Sequence, residues 1–288
     1  MKVNNLFYYP TASIISVIIY KLTLFLKTIF RITYQYFKFH SFILKTKKIK
    51  NTKKNKKVFV FANGPSLRKI NFSKVNKLGF DVFVVNKFDD NNNDKLRFNF
   101  YVLSDPRYFD PSHKWFRIKE KIKKKIHKNK YLNLFVPFEF MTHDLIADNV
   151  YGFCDYQNES SNNVSNIIYP RGFASLTSYK ALSIALHLGY SKIYICGFDN
   201  SYFSNIISDK NNNLYNKIEH FYKEKNKEKD DENIKSYWKS LGYMLYSEHF
   251  LFTDIDKFAK AKGSKIVNLD ESSLVTSFEK KHNLKIYF

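Results

Sequence analysis

Asn63, Gly64, Pro65 and Ser66 close an apolar run, VFVFA at 58–62, and open a polar segment of helical composition. A strand ending this way delivers groups to the carboxyl edge of a parallel sheet, where backbone N–H groups of the following turn can meet a nucleotide phosphate. Gly64 would let the backbone approach a ligand, Pro65 fixes φ, and Ser66 can cap the next helix. Asn63 carries both a donor and an acceptor. Two more apolar runs end in polar groups: DVFVVN at Asn86, and NFYVLSDP at Ser104 and Asp105. Adjacent strands with these ends would line one crevice, although turns favour the same residue types for reasons of their own. Neither G-x-G-x-x-G nor G-K-[ST] occurs, so the usual dinucleotide fold and the P-loop ATPases lack support.

A second constellation lies further along, in YPRGFASLTSYKALSIALHLGYSKIYICGFDNSYF (169–203) and YSEHFLFTDIDKF (246–258). His249 has the chemistry of a general base near neutral pH, since an imidazole titrates at about 6.5. Arg171 suits a phosphate or carboxylate, or braces its loop. Asp199 follows a predicted strand and is either a crevice residue or the closure of a turn. Asp254 and Asp256 form a D-x-D, but Thr253-Asp254 opens a helical stretch, which favours capping over metal binding. The remaining histidines show no metal-ligand spacing, and no metal is expected. Cys154 and Cys196 sit in apolar surroundings and read as small buried residues of a reducing compartment.

From Lys57 onward, short apolar runs alternate with helical stretches, the pattern of a mostly parallel sheet covered by helices. Strands are predicted at 57–62, 81–86, 98–103, 131–136, 192–197 and 264–269. Helices are predicted at 112–130, where Trp115, Ile118, Ile122 and Ile126 share a face, and at 175–189, ending at Gly189. The fold class is therefore α/β, a single Rossmann-like domain over 57–288. Residues 200–248, rich in Asn, Lys and Glu, form either a lid-like insertion or a solvated excursion.

The net charge of the 288 residues is +22, and its excess is mostly N-terminal: residues 1–80 hold no Asp or Glu, but thirteen Lys or Arg precede Val58. Within 6–43, Lys21, Lys27, Arg31 and Lys38 interrupt an aromatic-rich apolar sequence, so no uncharged run reaches the ~18 residues of a spanning helix. Residues 1–56 are read as a basic amphipathic helical extension that associates with a membrane surface, with a domain-packed hairpin or partner-binding arm as the alternative. Nucleic acid is not expected, because the charges lie beside apolar residues instead of along a polar stripe.

The succession ANGPSL, VVN, ALSIALHLGYSKIYICGFD, HFLFTDI and SSL resembles the bacterial sialyltransferases of glycosyltransferase family 42, over about residues 57–279. The Asn-Gly-Pro-Ser-Leu element is also similar to that of the motility accessory factor transferases. The resemblance implies a glycosyltransferase A type domain, a CMP-activated nonulosonic acid donor, a cell-surface glycan acceptor, no cofactor or metal, and inversion at the anomeric carbon. It implies donor phosphate and ribose contacts from Asn63, Gly64 and Ser66, and a nucleotide or sugar contact from Asn86. Thr177 and Ser178 fall where the family has a donor-binding Ser-Gly pair, without its glycine. His249 falls on the general base, and Tyr202 and Tyr215 are the matches for leaving-group hydroxyls. The implied setting is peripheral, at the cytoplasmic face of the inner membrane, with a second copy of the chain kept among possible partners. Two alternatives stay open: a transferase or pyrophosphokinase using another nucleotide and sharing only the phosphate loop, and a non-catalytic membrane-surface scaffold.

Overall fold

The computed structural model describes residues 14–91, 95–155, 166–169, 176–201, 206–208, 210–212, 214–216, 220–221, 251–281 and 286. Strands β1 (Lys57–Phe61), β2 (Asp81–Val85), β3 (Phe100–Val102), β4 (Asn133–Pro137), β5 (Val150–Phe153) and β6 (Lys192–Cys196) belong to one sheet. A short antiparallel hairpin, β7 (Ile206–Ser208) with β8 (Leu214–Asn216), stands apart from it, and β9 (Lys265–Asn268) and β10 (Glu279–Lys280) complete it. The sheet order is β10-β9-β6-β1-β2-β3-β4-β5, and every pairing within it is parallel. All six predicted strands are present to within two residues at either end. β5 and β10 were not foreseen, since VYGF and EK carry too little apolar alternation to stand out.

Alternation along the strands makes two cores. Val58, Val60, Phe83, Val85, Phe100 and Ile193 point to one face, and Phe59, Phe61, Val82, Val84, Tyr101 and Tyr194 to the other. The second face is covered by α2 (Phe72–Lys77) and by α3 (Phe116–Lys128), which buries Ile118, Ile122 and Ile126 as its spacing requires. The first face is covered by α4 (Thr177–Leu188), nearly all of it buried, and by the helical backbone of 251–261, here α5. Gly189 ends α4 in the left-handed region at φ 89°, as a C-terminal cap.

The N-terminal helix α1 (Ile14–Lys48) has non-helical backbone at Phe39. Its C-terminal part packs on the domain. Phe39 and Ile43 join the first core, Thr46 donates to the Gly152 carbonyl at 2.9 Å, and Gln35 donates to the Ile168 carbonyl at 3.0 Å. Residues assigned by sequence to the extension before 57 thus share the domain's core from Gln35 onward. N-terminal to that seam the helix is largely exposed, with Phe25 at 57% and Phe30 at 73%. Among the described residues, no helix is long and apolar enough to cross a membrane.

Candidate functional site

Chain order runs outward from β1 through β2, β3, β4 and β5, then returns through α4 to β6 on the other side of β1. The reversal lies between β1 and β6, and in open α/β sheets a ligand crevice forms outside the carboxyl ends of the strands at such a point. The Asn63-to-Ser66 turn leaves β1 there and meets the turn Gly197-Phe198-Asp199 leaving β6. Gly64 N–H donates to the Gly197 carbonyl at 3.0 Å. Asp199 accepts from Ser66 N–H at 2.9 Å and from Ser66 Oγ at 2.8 Å, while Gly197 N–H donates to Ser66 Oγ at 3.2 Å.

This contact changes the expected roles of two residues. A Cβ on Gly64 would lie 1.9 Å from Asp199 Oδ2 and 2.5 Å from the Gly197 carbonyl oxygen, so the missing side chain makes room for Asp199. Ser66 lies inside the 3-10 turn Pro65–Lys69, whose N-cap is Gly64, and its N–H and hydroxyl are both given to Asp199. Burial pushes the Asp199 carboxyl above its usual range, with nearby Asp270 adding to the effect, while the Ser66 hydrogen bonds hold it down. The outer rim is fixed by Leu274 N–H donating to the Asp199 carbonyl at 2.9 Å and Ser273 Oγ donating to the Phe198 carbonyl at 2.6 Å.

On the β2 side, Asn63 Nδ2 donates to the Val85 carbonyl at 3.2 Å and Asn86 Nδ2 donates to Thr177 Oγ1 at 3.1 Å. Asn86 takes a left-handed backbone, φ 51°, which turns its side chain toward α4, and Tyr101 donates its hydroxyl to the Asn86 carbonyl. The Oδ1 atoms of Asn63 and Asn86 are both buried without a hydrogen-bond partner. Thr177 Oγ1 lies 2.7 Å from Ser104 Oγ, and Lys180 Nζ donates to that oxygen at 3.1 Å and to Asp155 Oδ2 at 2.7 Å. Thr177 accepts from Asn86 and Ser104 accepts from Lys180. Whichever of the two hydroxyls donates to the other, one hydroxyl hydrogen of the pair stays available.

The structure therefore brings Asn63, Gly64, Pro65, Ser66 and Asp199 together at the switch point, and Asn86, Ser104 and Thr177 beside them; Ser178 is half-buried in the same turn of α4 as Thr177. Asp105 is engaged locally: its carboxylate accepts from the Arg107 backbone N–H at 3.0 Å and pairs with the Arg107 guanidinium at 2.6 Å. Asp256 of the D-x-D pairs with Lys260 at 2.6 Å. Arg171, Tyr202 and His249 lie outside the described residues, as does the side chain of Tyr215, whose backbone belongs to β8. Among the described residues, no group of three His, Cys, Asp or Glu side chains is placed to hold a metal ion. Lys180, Asp155 and Tyr101 were missed by sequence reasoning. The signal for Lys180 was a single lysine inside the otherwise apolar helix TSYKALSIALHL.

No protein-family profile and no curated protein matches the chain. Among solved structures, the MAf glycosyltransferase from Magnetospirillum magneticum AMB-1 superimposes with a TM-score of 0.50 at 13% identity, over 85% of this chain and 39% of that one. The sialyltransferase CstII from Campylobacter jejuni, in complex with cytidine-5'-monophosphate, gives 0.45 at 19% identity over 79% of this chain and 85% of that one. A complex of the sialyltransferase CST-II with a trisaccharide acceptor and CMP gives 0.44 at 18% identity over 78% and 85%. The likeness is one of fold. This chain spans 39% of the length of the MAf protein.

Proposed function

We propose that the chain is an inverting transferase that moves a sialic acid or related nonulosonic acid from a CMP donor to a cell-surface glycan, without a divalent ion. The observation that carries this reading is the pair of unpartnered amide oxygens, Asn63 Oδ1 and Asn86 Oδ1, at adjacent strand ends of the switch-point crevice. A buried acceptor left unmatched costs about 1–3 kcal/mol, so such atoms call for a ligand rich in hydroxyl or amine donors, such as a nucleoside ribose or a sugar. The available hydroxyl hydrogen of the Ser104 and Thr177 pair supplies the complementary donor. The donor class itself comes from the motif succession ending in HFLFTDI and SSL.

In this reading Asn63, Asn86 and Thr177 contact the donor, while Ser66, Gly64 and Asp199 hold the turn in shape. Arg171 receives an anionic group of the donor. His249 takes the proton of an acceptor hydroxyl as that oxygen bonds to the anomeric carbon and the bond to the CMP phosphate breaks. The donor's own carboxylate offsets positive charge at the anomeric carbon, and hydroxyls of Tyr202 and Tyr215 steady the departing phosphate. Supporting a role for the neighbouring segment, α5, described from Leu251, packs Phe252 against Phe198 and Tyr179 next to the crevice, with ring centroids 6.2 and 6.5 Å apart. The acceptor is of the lipooligosaccharide or capsule type, met at the cytoplasmic face of the inner membrane. His249→Ala is the test: transfer from CMP-sialic acid should fall by about 10²-fold or more while CMP binding persists. Full transfer by that variant would sink the assignment.

A further inference from the structure

The projecting part of α1 has a face that the transferase reading does not use. At ~100° per residue, Ile18, Leu22, Phe25, Leu26, Ile29 and Phe30 fall within an arc of about 140°. These side chains are 46–73% exposed. On the same wheel Gln35, Phe39, Ile43 and Thr46, which face the domain, span about 80° and are centred about 110° round from the middle of the arc, meeting it at the edge that holds Phe25. Lys21 and Lys27, both exposed, flank the apolar arc on its two sides. The backbone leaves helical geometry at Phe39, within the packed part that begins at Gln35.

Two partners would cover such an arc: a lipid surface or a second copy of the chain. Charge decides between them. Residues 14–34 carry Lys21, Lys27 and Arg31 and no acidic residue, and residues 1–80 as a whole contain none. A second copy would bring like charges against one another, whereas an anionic lipid surface complements them. Lysines at the edges of an apolar arc can lay their stems along it and extend their ammonium groups to the headgroups.

The position of the helix adds a consequence. Gln35 and Phe39 meet Ile168 and Phe138, segments that follow the carboxyl ends of β5 and β4, while Thr46 meets β5 itself. Read toward its N-terminus, α1 therefore runs from the strand up to the carboxyl edge of the sheet, the edge that holds the crevice. Residues 14–34 continue from that edge for about 30 Å of helix.

We propose that residues 14–34 of α1 lie in the interface of an anionic bilayer, apolar arc toward the acyl chains, and that the packed seam from Gln35 to Thr46 fixes the crevice edge of the domain at that surface. This goes beyond the transferase reading and does not depend on the donor.

The test is flotation of the full chain with vesicles of phosphatidylcholine alone and of phosphatidylcholine with phosphatidylglycerol at 7:3. The chain should float with the anionic vesicles and several-fold less at 1 M salt than at 0.1 M, where screening is weaker. Phe25→Glu with Ile29→Glu should lower partitioning at least tenfold, and Lys21→Glu with Lys27→Glu by a similar factor on anionic vesicles only. Far-UV circular dichroism and the thermal midpoint of each variant should match the wild type, because all four side chains are exposed. Absence of flotation, or flotation unaffected by both pairs of substitutions, overturns the proposal. So does a stable dimer that fails to float and that Phe25→Glu with Ile29→Glu dissociates. Loss of a CMP response with flotation intact would count against the transferase reading and leave this one standing.

Discussion

Gly64→Ala probes the junction of the two turns at the switch point. Gly64 has φ −68°, which any residue adopts, so backbone conformation contributes nothing to the expected cost. The cost comes from contact: the new Cβ would be 1.9 Å from Asp199 Oδ2 and 2.5 Å from the Gly197 carbonyl oxygen. Relieving the first contact moves the carboxylate off Ser66, breaking the bonds at 2.9 and 2.8 Å. Hydrogen bonds to charged groups contribute about 1.5–3 kcal/mol each, and the half-buried setting argues for the lower end, so the loss should be about 3–4 kcal/mol. That is a large part of the ~5–15 kcal/mol that holds a domain folded. Asp199→Ala should cost about 3–4 kcal/mol by the same bonds. The double variant should cost less than the sum by at least ~1.5 kcal/mol, since the alanine at 64 can no longer displace a carboxylate that is absent. Urea unfolding of the four proteins, with m values compared, measures the cycle. A cost for Gly64→Ala below ~1 kcal/mol, or additivity within ~0.5 kcal/mol, would mean that Asp199 does not depend on the space at position 64.

Other outcomes follow from buried groups. Lys180→Met removes the ammonium that pairs with Asp155 at 2.7 Å, in a pair only 5% and 13% exposed, and should cost about 3 kcal/mol, of which adding Asp155→Leu should recover at least half in the same urea assay. His187 is buried with Nε2 3.0 Å from the Thr46 carbonyl oxygen, and burial lowers its pKa from 6.5. Its folded form resists the proton that the unfolded chain accepts, so its contribution is full above pH ~6.5 and declines as pH falls below that value. His187→Gln should flatten the stability profile between pH 7 and 5.5, and an unchanged slope would contradict this. Burial pushes the Cys196 thiol up to about 12, and Cys154 is also buried. Neither should react with a thiol reagent at pH 8 until urea unfolds the chain.

The strands were legible because each alternates between two cores, as Val58 and Val60 do against Phe59 and Phe61, and that period of two survives in the sequence. The end of α4 was legible from Gly189, whose left-handed φ few other residues take. The seam between α1 and the domain was hidden because it is built partly from Gln35 and Thr46, polar side chains whose burial depends on carbonyls far along the chain. At the crevice, the sequence marked Asn63, Gly64 and Ser66 as a group. It did not reveal that Asp199, more than a hundred residues away, occupies the space that Gly64 leaves and takes both donors of Ser66. Asp105 followed a strand end as Ser104 did, yet a neighbouring arginine draws its carboxylate into the local turn.

In the proposed reaction the switch-point crevice binds a cytidine nucleotide. Thermal unfolding of the purified chain with CMP, UDP, GDP and ATP in turn, each with and without a chelator, tests it most directly. CMP at one hundred times its dissociation constant should add about 2.7 kcal/mol of stability, seen as a raised midpoint that the chelator leaves unchanged. Asn86→Ala should abolish that shift. A larger shift with another nucleotide, a shift that needs a divalent ion, or none with any of the four would contradict the claim.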